Sequence, residues 1–376
     1  MELVKEWYRR YLSDPQVLIL ALLLAAGFLA VLWFSDILAP LFVAVVVAYL
    51  LEGLVRQILR TRVPRLAAVM VVFTLFMLFV LAVAFYLVPK LSRQATALFQ
   101  ELPAMLVRAE ALVLELPTRY PNLFSESQVL QWVDSMKLEV TAFGQQLLAR
   151  TVSSFVAILT VVVYVILVPI LVFFLMKDKE RILGWVRARL PRDRALATTV
   201  WVDVDRQIGN YIRGKFWEIL IIFSICFATF SWFGLQYAAL LSLLVGLSVL
   251  IPWVGAVIVT FPIMLIAYFQ WGFTPEWAWL MVAYFVIQAF DANILVPLLY
   301  SEVVDLHPIA IIAAVLFFGG VWGLWGVFFS IPLATLVQAV MKAWPSSEVP
   351  VVTDEPPSPP PPPTTDVRHN HPTVHG

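Results

Sequence analysis

Long runs of mostly apolar residues constrain this chain more than any other feature. A helix needs about 20 apolar residues to cross the roughly 30 Å hydrocarbon core of a bilayer, and eight long apolar runs are present. The chain is 61% hydrophobic and 13% charged, whereas soluble chains are about 45–50% apolar and about 25% charged. The sequence therefore predicts an all-α polytopic membrane protein of about eight transmembrane helices.

Six of the runs have the length of one span. They are Pro15–Phe34, Ile37–Leu51, Leu66–Val88, Val152–Met176, Phe216–Gly234 and Trp277–Leu299. The other two, Tyr237–Phe269 and Pro308–Met341, would each form a helix of about 50 Å, which is too long for the bilayer core. We expect each of these two to be an interrupted helix or a hairpin. The breaking residues are Pro252, Gly255 and Pro262 in the first, and Gly319, Gly320, Gly323, Gly326 and Pro332 in the second.

The two interrupted runs resemble each other. Gly255 precedes Thr260-Phe261-Pro262-Ile263, and Gly326 precedes Ser330-Ile331-Pro332-Leu333. Paired broken segments are typical of the internal repeats of secondary transporters, and hairpin-turn chemistry alone explains the likeness nearly as well. Gly319, Gly323 and Gly326 also share one face of a continuous helix, which would let another helix approach closely.

Lys and Arg residues predict the orientation. Three precede the first span, four lie in residues 52–65 and ten lie in 177–215, whereas Ser35-Asp36 and residues 270–276 have none. The positive-inside rule therefore puts the N-terminus, 52–65 and 177–215 in the cytoplasm, and the C-terminus follows by the parity of the spans. The first run is expected to be an uncleaved anchor, because it is too long for a signal peptide.

Composition divides the chain into six regions. They are the N-terminal flank with transmembrane helices 1–3 (1–89), an extracytoplasmic helical region (90–150), transmembrane helix 4 (151–176), a cytoplasmic basic amphipathic linker (177–215), a C-terminal transmembrane domain with broken helices (216–344) and a disordered Pro/His-rich tail (345–376). The region 90–150 has amphipathic stretches at 90–101, 103–116 and 126–149. It either caps a pathway or contacts a partner, or it connects helices along the membrane surface.

Acidic residues enter the last third of the membrane domain without bases. Residues 216–341 contain no Lys or Arg, and buried acids are costly unless they are protonated, hydrated or cation-bound. This pattern favours a neutral or cationic permeant, or coupling to H⁺ or Na⁺, over an anionic substrate. Glu218 is explained by a surface pair with Lys215 at the cytoplasmic edge.

Asp291 is the main candidate for a transport pathway. Tyr284, Gln288 and Asp291 recur at helical spacing on one face, and Asn293 lies next to that face. A carboxylate on a polar stripe inside a span predicts a pathway, and the alternative is a hydrogen-bonded contact between helices. Three further candidates lie in the loop that follows: Glu302, Asp305 and His307. His307 either relays protons or caps a helix.

Enzymatic, metal and cofactor chemistry are not indicated. The sequence has no HExxH motif, no Gly-rich phosphate loop and no GxSxG elbow, and His307 with Ser248 or Ser330 lacks the context of a hydrolase. Cys226, the single cysteine, is expected to pack as a small hydrophobe. We therefore expect no enzyme, no cofactor and no resident metal. Nucleic acid is also not expected as a partner, because acids are interspersed among the bases of 177–215.

Ten short motifs, taken together and in order, resemble those of the autoinducer-2 exporter (AI-2E) family, and within it the PerM-type permeases. The resemblance covers residues 1–344. The motifs are Trp7-Tyr8-Arg9-Arg10, Phe173-Phe174-Leu175-Met176-Lys177-Asp178-Lys179-Glu180, Asn210-Tyr211-Ile212-Arg213-Gly214-Lys215, Leu250-Ile251-Pro252-Trp253-Val254-Gly255, Gln288-Ala289-Phe290-Asp291-Ala292-Asn293, Pro297, Leu306-His307-Pro308, Gly319-Gly320, Gly323-Leu324-Trp325-Gly326 and Pro332.

The resemblance implies a multi-pass protein of the bacterial inner membrane with both termini cytoplasmic, assembled as a homo-oligomer such as a pentamer. Members are described as exporters of a small signalling molecule or as cation/proton antiporters, and Asp291 matches a position where the family usually carries an acid. The sequence thus predicts a permease whose partners are membrane lipids, a small solute or ion and further copies of itself. The alternative is a non-transporting oligomeric membrane scaffold.

Overall fold

The chain is helical wherever the structure describes it. The computed structural model describes residues 15–115, 154–189, 195–252, 254–300 and 307–343, with a few isolated positions between 117 and 135, and these ranges contain no strand. The helices are α1 (Pro15–Leu59), α2 (Arg65–Ala82), α3 (Val88–Leu114), α4 (Ser154–Lys177), α5 (Lys179–Arg189), α6 (Ala195–Phe233), α7 (Ala238–Ser248), α8 (Val254–Trp271), α9 (Pro275–Phe290), α10 (Val296–Tyr300) and α11 (Pro308–Ala343). Two π-helical turns, Val83–Leu87 and Asp291–Leu295, join α2 to α3 and α9 to α10.

Five helical segments of the described ranges are long and apolar enough to cross a membrane. They are Ile37–Leu59, Arg65–Leu114, Asp205–Phe233, Val254–Trp271 and Pro275–Tyr300. Four shorter apolar helices accompany them: Val162–Lys177, Ala238–Ser248, Pro308–Gly323 and Trp325–Ala339. The predicted class of all-α membrane protein is confirmed, while the number of about eight spans stays a prediction.

The N-terminal helix differs from the predicted pair of spans. We expected a turn at Ser35-Asp36, but α1 is continuous from Pro15 to Leu59 and contains Pro40 in its interior. The expected turn has neither Gly nor Pro, the residues that most often end a helix. Because 45 residues span about 67 Å as a helix, the two ends of α1 lie far apart. The parity of spans no longer places the N-terminus on the same side as residues 52–65.

Helix α6 also runs farther than the sequence predicts. It begins at Ala195 and ends at Phe233, so position 215, the expected end of the linker, lies in mid-helix. One stripe of α6 is fully or almost fully buried at spacings of four and three residues: Tyr211, Lys215, Glu218, Ile222 and Cys226. This stripe continues the core across the expected linker boundary and brings two charged side chains into the protein interior.

The long helical stretch α2–α3 packs against the start of α7 through two hydrogen bonds. The Tyr237 hydroxyl donates to Glu101 at 2.8 Å, and the Leu240 N–H donates to the Gln94 side chain at 2.9 Å. Burial and this bond to Glu101 raise the pKa of Tyr237 to about 12, so its hydroxyl stays protonated and remains a donor. Pro103 lies inside α3 rather than between two stretches, so residues 90–114 extend the preceding span. The stretch 126–149 lies almost entirely outside the described residues.

An ion-pair cluster at Glu52 joins three helices at the end predicted to be cytoplasmic. The Glu52 carboxylate, 8% exposed, lies 3.3 Å from Arg65 Nη2 and 3.2 Å from Lys179 Nζ. Arg65 also donates to the Met176 carbonyl at 3.0 Å. The cluster ties α1 to the start of α2 and to the end of α4, beside the apolar contacts of the same three helices.

Both long C-terminal runs fold back on themselves, as the breaking residues predict. Helices α7 and α8 are separated at Pro252 and pack on each other. A Cβ atom on Gly255 would lie 1.8 Å from the Ser248 carbonyl oxygen, so the absence of a side chain is what allows this approach. The first half is shorter than a full span, because α7, with 11 residues, measures about 16 Å, whereas α8, with 18 residues, is long enough to cross a membrane.

The second run bends at Gly323, whose backbone is non-helical (φ 59°, ψ −133°). A Cβ atom on Gly326 would lie 1.7 Å from the carbonyl oxygen of Phe318, and residues eight apart approach so closely only when the chain reverses. The expectation that Gly319, Gly323 and Gly326 share one helical face is therefore wrong. Pro262 and Pro332 lie inside helical segments and do not mark the breaks.

Alanine at Gly255 or Gly326 should destabilise the fold, because either Cβ would overlap a backbone carbonyl that cannot rotate away. We expect a loss of at least about 2 kcal/mol, the range of an overpacked core, measured as a lower thermal midpoint of the detergent-solubilised chain. Gly320→Ala is the matched control, since nothing lies within 4 Å of a Cβ there. Equal stability of all three variants would contradict the close approach.

Candidate functional site

A buried ion pair lies in the middle of α6. Lys215 Nζ is 2.8 Å from Glu218 Oε2, and the two residues are 5% and 2% exposed. The same lysine donates to the Val249 carbonyl at 2.7 Å, and the Tyr300 hydroxyl donates to Glu218 Oε2 at 2.6 Å. Buried charges persist in proteins when they are paired and hydrogen-bonded in this way.

The interrupted backbone and a glycine make these contacts available. Val249 follows the last turn of α7, where carbonyl groups have no partner within the helix, so the break supplies the acceptor for Lys215. On the other side, a Cβ on Gly214 would lie 2.6 Å from the Tyr300 ring. The bare backbone at Gly214 therefore lets α10 pack against α6 and brings the Tyr300 hydroxyl to Glu218.

Asp291 lies beside this pair, on the π-helical turn that packs against α6. It interacts electrostatically with Glu218 and Lys215. Its Oδ1 atom is buried and has no hydrogen-bond partner among the described residues. A buried carboxylate oxygen without a donor is costly, so the position of Asp291 favours a proton or a cation on this side chain.

The structure separates the residues of the predicted polar stripe. Tyr284 is fully buried and its hydroxyl lies 3.0 Å from Thr260 Oγ1, which joins α9 to α8. Gln288 is half-buried and Asp291 follows at the π-helical turn. Asn293 is exposed and donates to the carbonyl of Ala289 at 2.8 Å, so it faces away from the ion pair.

Of the three predicted loop residues, the structure describes His307, which does not join the cluster. His307 is exposed, and its Nδ1 accepts the Ile309 N–H at 3.3 Å at the start of α11. This contact is the helix cap that the sequence predicts as the alternative to a proton relay. Glu302 and Asp305 lie outside the described residues. Within the described ranges, no three His, Cys, Asp or Glu side chains are close enough to hold a metal ion.

The role assigned to Glu218 from the sequence is only half right. Its pairing with Lys215 is confirmed, but the pair is buried rather than at the surface. Residues 216–341 themselves contain no Lys or Arg, and Lys215, one turn before Glu218, is the base that reaches into this domain. The spacing of Tyr211, Lys215 and Glu218 at four and three residues is the signal that could have revealed the buried face.

Helical segments long enough to cross a membrane, two reversed hairpins that include helices shorter than a span, and a buried charged cluster are the features of a polytopic membrane protein of permease type. The comparison with known proteins is more specific. Residues 18–346 match the family described as AI-2E family transporter, which is most of the chain. The chain belongs to the AI-2E transporter family.

Individual relatives agree with this assignment. The chain is 43% identical over 349 residues to "Putative permease PerM" of Escherichia coli strain K12, a match that covers 93% of this chain and 99% of the relative. It is 23% identical to "AI-2 transport protein TqsA" of the same strain, over 82% of this chain and 86% of TqsA. It is 21% identical to the "Sodium-lithium/proton antiporter" of Halobacillus andaensis, over 67% of this chain and 74% of that protein.

Replacing one member of the buried pair should destabilise the protein more than replacing both. Lys215→Met leaves Glu218 as an uncompensated buried charge, which costs about 3–5 kcal/mol. The double variant Lys215→Met/Glu218→Gln contains no unpaired charge and should recover most of that loss. Thermal unfolding of the purified variants measures both effects. A double variant that is less stable than Lys215→Met would contradict the inferred role of the pair.

Proposed function

We propose that this protein is a secondary transporter in which Asp291 binds the coupling proton or monovalent cation. The observation that carries the proposal is the buried, unpartnered Oδ1 of Asp291 beside the Lys215–Glu218 pair. Transport as the general role rests on the family and its permease relatives. The family does not specify the coupling ion, so the proton or monovalent cation is part of what we propose.

The charge of the cluster supports a monovalent ligand. Glu218 and Asp291 contribute two negative charges when ionised, and Lys215 contributes one positive charge. The Lys215 ammonium is already bound to Glu218 and to the Val249 carbonyl, so its charge is not free to neutralise Asp291. One proton or one Na⁺ would bring the cluster to neutrality, the condition that low-dielectric surroundings favour.

The surrounding backbone supports a pathway near this cluster. Broken, half-length helices whose free ends face a binding site are the usual construction of secondary transporters. Here the break after α7 already contributes the Val249 carbonyl to Lys215. Non-helical backbone at membrane depth is tolerated where it is buried in protein or lines a cavity, and the break after α7 places the Val249 carbonyl against the buried Lys215.

The substrate is a small neutral or cationic solute in this proposal. An anionic solute would find Lys215 occupied by Glu218. The relatives' names point to AI-2 for TqsA and to Na⁺, Li⁺ and H⁺ for the Halobacillus protein. We place the chain in the bacterial inner membrane as a homo-oligomer with a cytoplasmic C-terminus, and the cytoplasmic N-terminus rests on the positive-inside rule alone.

Ion flux into proteoliposomes tests the proposal. The purified full-length chain should carry proton or Na⁺ flux under an imposed gradient, and Asp291→Asn should reduce that flux at least about tenfold, because the amide removes the titratable and cation-binding oxygen. Flux is followed with an internal pH dye and with ²²Na⁺.

Asn293→Ala is the matched control, since Asn293 lies two residues farther along the same turn and is exposed. It should retain the flux of the unaltered chain. The proposal fails if Asp291→Asn transports as well as the unaltered chain, or if Asn293→Ala loses as much. Absence of flux from every folded variant would favour the alternative role as a membrane scaffold.

A further inference from the structure

A cavity of about 740 Å³ opens between α1, α2 and α6, and Phe328 of α11 also lines it. Its walls are mostly aliphatic and aromatic. Among them are Leu75, Phe79 and Trp217, which are 58%, 54% and 50% exposed. Because such apolar side chains at the rim would contact hydrocarbon in a membrane, the cavity opens sideways to the lipid.

One end of the cavity is positively charged. Arg56 lines it from the last turn of α1, Arg60 from the turn just after α1, and Arg213 from α6, whereas no acidic side chain is among the described residues that line it. Arg56 and Arg213 interact as like charges, and Arg213 donates to Asn210 Oδ1 at 2.7 Å. Two acids near this end are already engaged elsewhere. Glu52 lies 3.9 Å from Arg56 but is closer to Arg65 and Lys179, and Asp205, which interacts with Arg213, also accepts the Tyr49 hydroxyl.

The opposite end of the cavity is apolar and has the depth of one lipid leaflet. The lining runs along α1 from Val46 to Arg56, a rise of about 15 Å along the helix axis. Half of a roughly 30 Å hydrocarbon core is also about 15 Å. The cavity thus combines cationic groups at the depth of the headgroups with an apolar slot at the depth of the acyl chains.

We propose that this cavity binds an anionic phospholipid, with its phosphate between Arg56, Arg60 and Arg213 and one acyl chain along α1 and α2. Basic pockets between transmembrane helices are a recurring way to hold such headgroups. Guanidinium groups suit a phosphate because they offer paired donors. Lys215 also lines the cavity but is bound to Glu218, so it takes no part in holding the headgroup.

Native mass spectrometry of the full-length chain, titrated with phosphatidylglycerol or with phosphatidylcholine of the same acyl chains, tests the headgroup. Phosphatidylglycerol should bind more tightly, and Arg56→Gln/Arg60→Gln should weaken its binding about 30-fold, since each arginine near the surface contributes a few-fold. Arg62→Gln is the matched control, because Arg62 belongs to the same basic segment but does not line the cavity. Equal binding of the two lipids, or an equal loss in Arg62→Gln, would overturn the proposal.

A second pair of variants tests the acyl slot without altering any charge. Leu75→Trp places a large ring in the slot and should weaken phosphatidylglycerol binding at least about tenfold. Leu78→Trp is its control, because Leu78 is also 58% exposed on α2 but does not line the cavity. Equal phosphatidylglycerol binding by both variants would contradict the proposal that an acyl chain lies in this slot.

Two further outcomes decide against the lipid. If inorganic phosphate at millimolar concentration displaces phosphatidylglycerol, the site recognises phosphate alone and the proposal is wrong. If the lipid does not bind and Leu75→Trp dissociates an oligomer that Leu78→Trp leaves intact, the cavity is an interface between copies. The lipid proposal does not depend on transport, because the experiment measures lipid binding. A negative result in the Asp291→Asn flux assay would therefore leave the lipid proposal intact.

Discussion

The buried salt bridge between Lys215 and Glu218 is the interaction on which the C-terminal half of the structure depends. A single ion pair in a low-dielectric interior is seldom a net gain, because desolvating two charges offsets their attraction. Here every contact that compensates it comes from another segment: the Val249 carbonyl at the end of α7 and the Tyr300 hydroxyl at the end of α10. The pair therefore fixes the relative positions of three helices and places Asp291 next to a charge that is already satisfied.

Glycine at points of close backbone contact is the second constraint. The hairpins at Gly255 and Gly326 bring carbonyl oxygens to within a distance that any side chain would block. Such approaches free carbonyl groups from the helix ladder, and in a membrane these groups need another donor. The Val249 carbonyl obtains one from Lys215. The helix break and the buried charge therefore satisfy each other: the break leaves a carbonyl group without a donor, and the buried lysine donates to it.

Sequence reasoning identified what depends on local composition. The membrane class, the helix at Ser154–Lys177 and the breaks near Pro252 and Gly323 follow from apolar run length and from Gly and Pro content. Helix continuity was misjudged in α1, where a polar pair inside an apolar sequence did not form a turn. Helical periodicity in the sequence singled out Asp291. It predicted Glu218 to lie at the surface, because the partner that buries Glu218, Tyr300, lies 82 positions away in the chain. One sequence alone does not contain a contact of that kind.

The packing of the Tyr300 ring on the bare backbone of Gly214 limits how the protein can move. A transporter must expose its site to each side of the membrane in turn, which requires some helices to shift relative to others. Sliding α10 along α6 would push the ring into a neighbouring side chain and pull its hydroxyl from Glu218. A cycle that keeps this contact therefore moves α6 and α10 as one rigid body. Its hinges then lie at the wider-wound turn at Asp291–Leu295 and at the bend at Gly323, on either side of the block that the tyrosine holds together.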